Sequence, residues 1–372
     1  MSSWRSICSS TASAVRNPVH VKEKTVRRKG ITYDTGTFPG GRNSRPGFDS
    51  GQVRHEMAVI ATDLRCDAVR VTGGDLGRLS VAARHAADAG LEVWFSPQPC
   101  ELGIADMQLQ FEDASRRAQD LHDSSDAEVV LVLGCELSVF GEGFLPGADS
   151  YARMSSLAAP PPELLASYEA TVRRLNEFLA TAVAGARESF AGPVTYAAAP
   201  WEDVDWEPFD IVAMDAYRDA SNAGGYRELV RSLTTHGKPA AVTEFGCCTF
   251  RGAADRGGSG WTIVSGAGAQ RRLNGTYVRD EHEQARYLSE LLALYEEEGI
   301  DAAFWFSFAS YDKPRRADPA QDLDLASFGV VAVLEPDDGR AIQAWVKKEA
   351  FTALSGHPHR SEHTSRRARG RR

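Results

Sequence analysis

The nine histidines of this 372-residue chain form no HExxH motif, and its six cysteines (8, 66, 100, 135, 247, 248) contain no CxxC. That removes the common zinc-site patterns and leaves a metal-free protein as the expectation. The scatter of the cysteines also argues against a disulfide framework, so free thiols are expected. No apolar run approaches the roughly 20 residues needed to span a bilayer. The first thirty residues, Ser-rich and basic, lack the apolar stretch of a secretory signal, and a cytoplasmic protein is expected. No GxGxxG follows the first apolar run; "GGDLGRLS" (73–80) imitates one poorly, which counts against a dinucleotide fold.

Charge is unevenly spread. Residues 1–29 hold seven Lys/Arg and one Glu, and 357–372 hold six Arg and one Glu, so a net charge of −9 leaves about −20 on residues 30–356. An acidic body repels phosphate, so nucleic acid is not the expected partner. Both basic ends read as solvated, disordered segments flanking one domain over 30–356.

Between those ends, short apolar runs alternate with longer helical patterns. Strands are expected at 30–36, 67–73, 91–97, 128–134, 193–199, 210–217, 239–245 and 301–308. Their near-continuous apolar character means burial on both faces, as in a parallel sheet. Helices are expected at 51–65, 75–89, 105–122, 162–190, 223–235, 280–298 and 339–354. Only "WEDVDWEPFD" (201–210) separates the fifth and sixth strands, too little for more than a turn. Eight β/α units over this length predict an α/β fold of the (β/α)₈ (TIM) barrel type, one domain with long βα loops. A doubly wound open sheet is the competing architecture.

Two of these strands end in a glutamate. "VLVLGCELSVF" (130–140) carries Glu136 and "AVTEFGCCTF" (241–250) carries Glu244. Strict alternation puts Glu136 on the face of Gly134 and Val132, and Glu244 on the face of Val242 and Ala240. Barrel enzymes keep their chemistry at the carboxyl ends of the strands, and strands four and seven lie nearly opposite in the ring. Two facing carboxylates suit glycosidic cleavage, one protonated as acid and one ionised as nucleophile. Glutamates drawn to helix N-termini by the dipole are the plainer alternative.

Other residues join as candidates for holding a substrate. Tyr33 and Asp34 close strand one, Asp215 and Tyr217 strand six, and Trp201, Trp261 and Trp305 follow or end strands, where rings stack on sugars. The Gly-rich "CTFRGAADRGGSGWTIV" (248–264) lacks the GK[ST] ending of a phosphate cradle and reads as a lid or substrate-binding loop. "SVFGEGFLPGADSYARM" (138–154) is its long counterpart after strand four.

From about residue 30 to 355 the chain resembles clan A glycoside hydrolases, on "VTEFG", "VDWEPFDIVAMDAY", "FWFSF", "DLASFGVV" and "AVRVTGG". The resemblance implies Glu136 as acid/base, Glu244 as nucleophile, Tyr217 as its orienting hydroxyl, Arg70 as the basic residue near it and Trp305 as sugar platform. It implies a retaining reaction on a carbohydrate or glycoside, with no cofactor. The chain departs from that pattern at Cys135, where the clan places an Asn that binds the sugar 2-hydroxyl. "KGITYDTGT", "ELSVFGEGFLPG" and "TEFGCCTFRGAADRGGSGW" are most similar to an actinobacterial group labelled "abortive infection protein". A barrel that binds without turnover, in a phage-defence role, is therefore a second reading, and a metal-dependent barrel hydrolase a third.

Overall fold

Parallel strands buried on both faces need a helix layer outside and a filled interior, and the computed structural model, which describes residues 26–158, 160–335 and 344–358, has both. Eight strands make one parallel sheet: β1 (Arg28–Asp34), β2 (Ala68–Gly73), β3 (Glu92–Pro97), β4 (Val129–Cys135), β5 (Val194–Ala197), β6 (Val212–Asp215), β7 (Ala240–Phe245) and β8 (Ala302–Trp305). Their order is 5-4-3-2-1-8-7-6. A parallel bridge between Ala198 and Met214 joins the outermost pair, so the sheet closes on itself as a (β/α)₈ barrel. Among the described residues no helix is long and apolar enough to cross a membrane.

Helices Ser50–Thr62, Leu76–Asp88, Ile104–Asp123, Pro162–Arg187, Tyr226–Leu233 and Glu281–Glu298 follow the expected segments. Asp49, Asp75 and Asp280 cap three of them through side-chain bonds to backbone N–H groups. No helix separates β5 from β6, in line with the short "WEDVDWEPFD". One expectation fails. Within 339–354 the chain forms a strand, Trp345–Lys347, antiparallel to Val331–Val333, and only then a helix, Glu349–Gly356. The Trp345 indole is drawn to the buried Glu56 carboxylate at 3.1 Å, which fixes this segment against the barrel. β1 also begins before the expected domain start. Val26 is buried, and Arg27 and Arg28 pair with Asp301 and with Glu92 and Glu128. The rest of the expected N-terminal segment (1–25) and all but the start of the Arg-rich tail (359–372) lie outside the described residues.

The interior changes character along the barrel axis. At lower inward positions sit Ala68, Trp94, Val130, Ala213, Ala241 and Phe304, a closed apolar cluster. Two steps on, toward the carboxyl ends, four of those strands present Arg70, Ser96, Asp215 and Thr243, all buried. The apolar floor is tight. The Trp94 and Phe304 rings lie 4.7 Å apart, and Gly30 leaves the space that Phe304 fills: a Cβ there would stand 2.5 Å from the ring. Gly30→Ala should therefore cost about 1–3 kcal/mol through overpacking, and Phe304→Leu in the same chain should recover part of that loss. Urea denaturation of the two single variants and the double variant measures it; purely additive effects would contradict the contact.

Candidate active site

Both glutamates reach the mouth by a route that strict alternation misses. Val132 lies in the interior cluster, but Val242 and Ala240 face the helices, so alternation alone would turn Glu244 outward. Each strand carries an extra residue just before its carboxylate. Val132 pairs with Thr195 and Cys135 with Ala197, three steps on β4 for two on β5. Met214 pairs with Val242 and Asp215 with Glu244, two steps on β7 for one on β6. Such bulges re-aim side chains at barrel rims. In β4 the bulge passes through Gly134 at φ 85°, a conformation that glycine adopts without strain. Glu136 follows at φ 46°, ψ 46°, and opens the single turn Leu137–Phe140.

That turn is held from outside. The Leu137 N–H donates to the Tyr196 hydroxyl at 2.7 Å, and the Ser138 N–H donates to the buried Glu202 carboxylate at 2.9 Å. Tyr196 in turn donates to Glu202 at 2.8 Å. Nothing in the sequence marked Tyr196 or Glu202, because neither stands at a strand end or in a recognisable motif.

Glu244 is the carboxylate that the cation holds. Arg70 Nη1 donates to Glu244 Oε1 at 2.6 Å, and the Tyr217 hydroxyl donates to Oε2 at 2.8 Å. Arg70 is fully buried and further fixed by its Nε to Ser96 Oγ at 3.1 Å, while the Glu244 side chain keeps 13% exposure. Burial, then the Glu244 charge, pushes the Tyr217 phenol well above its usual range and keeps it a donor. The thiol of Cys135 donates to Asp215 Oδ2 at 2.9 Å and lies 3.7 Å from Glu244 Oε1. Burial foremost, then the Asp215 and Glu244 charges, holds that thiol protonated.

No side-chain hydrogen bond reaches Glu136 from the described residues. Burial, followed by the charges of Asp215, Glu244 and Glu202, raises its carboxyl well above the ordinary range. Burial and the Glu244 charge likewise raise Asp215, to about 7. Three acids thus share one buried cation.

The other sequence candidates divide. Trp201 sits beside the Glu136 turn, its Nε1 donating to Ser138 Oγ at 3.1 Å. Asp34 closes β1 by accepting the Gly36 N–H at 2.8 Å, and burial raises its carboxyl. Tyr33 and Trp305 are not brought to the mouth. Tyr33 donates to Glu56 in the outer layer, and Trp305, with Nε1 on Phe328 O at 2.9 Å, packs edge-on against Phe245. The half-buried ring beyond β8 is Phe306, next to a cis Phe306–Ser307 peptide and 5.6 Å from Phe328. Phe328 packs 5.9 Å from Tyr217, which ties this aromatic group to Glu244.

Cys135, Asp215 and Glu244 place three donor atoms within 4.8 Å of one another, a spacing that a metal ion would accept. The Arg70 guanidinium already supplies positive charge there and uses a Glu244 oxygen, which disfavours a second cation. The five cysteines among the described residues are free thiols.

No protein-family model and no curated protein sequence matches the chain. Solved structures do. A GH113 β-1,4-mannanase superposes with a TM-score of 0.58 at 13% identity, with 88% of this chain and 97% of that one covered. The GH113 β-mannanase AaManA from Alicyclobacillus acidocaldarius gives 0.54 at 15%, with 88% and 96% covered. A β-glucuronidase from Parabacteroides merdae gives 0.53 at 12%, with 89% of this chain but 36% of that larger one. At these identities the likeness establishes the fold alone, a (β/α)₈ barrel.

Asp215 gives a pH signature of known sign. Its folded carboxyl titrates at about 7 against an ordinary 3.8, so between about pH 4 and 7 the folded chain keeps a proton that the unfolded chain has lost. Its contribution to stability is complete below about pH 4 and lost as the pH rises through 7. Asp215→Asn removes that dependence, so its Tm should gain on wild type from pH 4.5 to 8; a constant difference would reject the assignment. Elemental analysis of the purified protein should find no stoichiometric zinc or iron. One metal per chain, lost in Cys135→Ser, would make the triad a metal centre.

Proposed function

We propose that this chain is a retaining glycoside hydrolase, with Glu244 as nucleophile and Glu136 as acid/base. The observation that carries the reading is the unequal treatment of the two carboxyls. Glu244 is fixed by Arg70 and Tyr217, whereas burial and three neighbouring carboxylates press Glu136 to keep its proton. The low-identity fold likeness to mannanases and a glucuronidase supports a carbohydrate substrate. The barrel over residues 30–356, extended back to Val26, is the catalytic unit, and its free thiols fit a reducing, cytoplasmic setting.

In the first step Glu136 gives its proton to the glycosidic oxygen while a Glu244 oxygen attacks the anomeric carbon. The aglycone leaves as an alcohol, and the sugar remains as an ester on Glu244. In the second step the Glu136 carboxylate takes a proton from water, whose oxygen attacks the same carbon and releases Glu244. Arg70 and Tyr217 hold the nucleophile's oxygens before and after transfer. The Cys135 thiol, committed to Asp215, offers the sugar little, so hydroxyl recognition falls to other residues.

That same commitment of Cys135 supports a second reading, a barrel that binds a glycan without turnover, as the resemblance to "abortive infection" sequences suggests. Turnover separates the two. On dinitrophenyl glycosides Glu244→Gln should abolish cleavage. Glu136→Gln should spare the first step and accumulate glycosyl-enzyme, while losing about 10²–10⁴ in rate on alkyl glycosides that need the proton. Azide should rescue Glu136→Ala and give a glycosyl azide of retained anomeric configuration by NMR. Full activity in Glu244→Gln would reject the mechanism, and carbohydrate binding with no turnover in wild type would favour the second reading.

A further inference from the structure

Strands 1, 4 and 7 are three, three and two places apart around the ring, yet loops from all three meet at one stack of side chains. Tyr151 begins the helix Ser150–Ala158 that follows β4, and its ring packs edge-on against Trp261, 5.9 Å away, in the turn Gly257–Ile263 that follows β7. The guanidinium of Arg42, after β1, lies 4.1 Å from the centre of the Tyr151 ring on its face. Loops rooted so far apart meet at a point only by reaching over the opening.

Each leg of this roof is anchored. Glu101, after β3, accepts the N–H of Gly40 at 3.0 Å and that of Ser150 at 2.8 Å, and it pairs with the buried Arg153. Gly40 packs against Tyr151 so closely that a Cβ would stand 2.8 Å from the ring. On the β7 side, a Cβ on Gly258 would stand 2.9 Å from Tyr217 Cγ, and one on Gly257 2.5 Å from Arg218 O. The turn bearing Trp261 therefore rests directly on Tyr217, the hydroxyl partner of Glu244.

We infer that this Arg42–Tyr151–Trp261 roof limits the substrate to a chain end: a single terminal, non-reducing sugar, or a small glycoside. The inference rests on the hydrolase reading. The roof sits over Tyr217, hence over the side of the carboxylate pair where the sugar becomes bonded to Glu244. A further sugar on that side has no path, whereas an internal bond of a polymer needs chain on both sides. The half-exposed Trp261 and Tyr151 rings remain as apolar surface for the single unit that enters.

The test has two arms on the full-length protein. Hydrogen–deuterium exchange in Tyr151→Ala should rise at least tenfold for the amides of 257–263 and stay unchanged in the barrel strands. p-Nitrophenyl β-mannoside, β-glucoside, β-galactoside and β-glucuronide are screened next. For whichever is cleaved, the matching reducing-end-labelled tetrasaccharide should shorten one sugar at a time from its unlabelled end. In Arg42→Ala/Tyr151→Ala, cleavage at internal bonds should rise at least tenfold relative to release of single sugars. Internal cleavage by wild type, or unchanged exchange at 257–263, would overturn this inference alone. Cleavage of none of these glycosides, with the exchange result intact, would instead bring down the hydrolase reading on which it rests.

Discussion

The 2.6 Å ion pair between Arg70 and Glu244 sets the order of the whole mouth. Three carboxyl groups and a thiol crowd a space that holds one buried cation, and a charge in such a place is costly unless paired. Arg70 can favour one anion fully, and its fork is turned to Glu244 by bonds to Ser96 and by the nearby Thr243 carbonyl. Glu136 and Asp215 are left to keep their protons, because both are buried and both face the Glu244 charge. The unequal surroundings of Glu244 and Glu136 thus follow from a shortage of positive charge.

Precision of this kind requires that long loops behave as fixed structure, and two buried ionic hubs supply it. Glu56 accepts Gln52, Tyr33, Tyr311, Arg45 and Trp345, which joins β1 and its helix to the segments after β8. Lys348, fully buried, pairs with Asp324 and donates to Thr249, binding the helix Glu349–Gly356 to the loop beyond β7. Each hub satisfies several partners at once, the condition under which buried charge rigidifies a fold.

All eight barrel strands were legible in the sequence because burial on both faces writes a continuous apolar run. The placement of the two glutamates at strand ends was legible too, since a carboxylate closing such a run stands out. Their orientation was not. Alternation describes an unbroken pleat, and both strands insert a residue before the carboxylate; Gly134 inside an apolar run was the one visible sign of it. Tyr33 and Trp305 show the converse. Each shares a face with an outward neighbour, Ile31 or Ala303, so alternation alone places them among the helices. Standing at a strand end brings a side chain to the mouth only when its face also turns inward. Tyr196 and Glu202 left no trace, because what they do depends on a backbone turn that only the folded chain displays.

The barrel's circumference is not uniform. Seven of its eight strand junctions are ladders, but β5 and β6, four residues each, are joined by the one bridge at Ala198 and Met214, with no helix packed between them in sequence. Opening free energy varies across a fold, and it is lowest where the fewest backbone bonds must break. The seam lies between the strand that neighbours Glu136 and the strand that neighbours Glu244. Opening at that junction would move Glu136 and Glu244 apart, so the barrel's most sparsely paired junction is the one that bears on their separation.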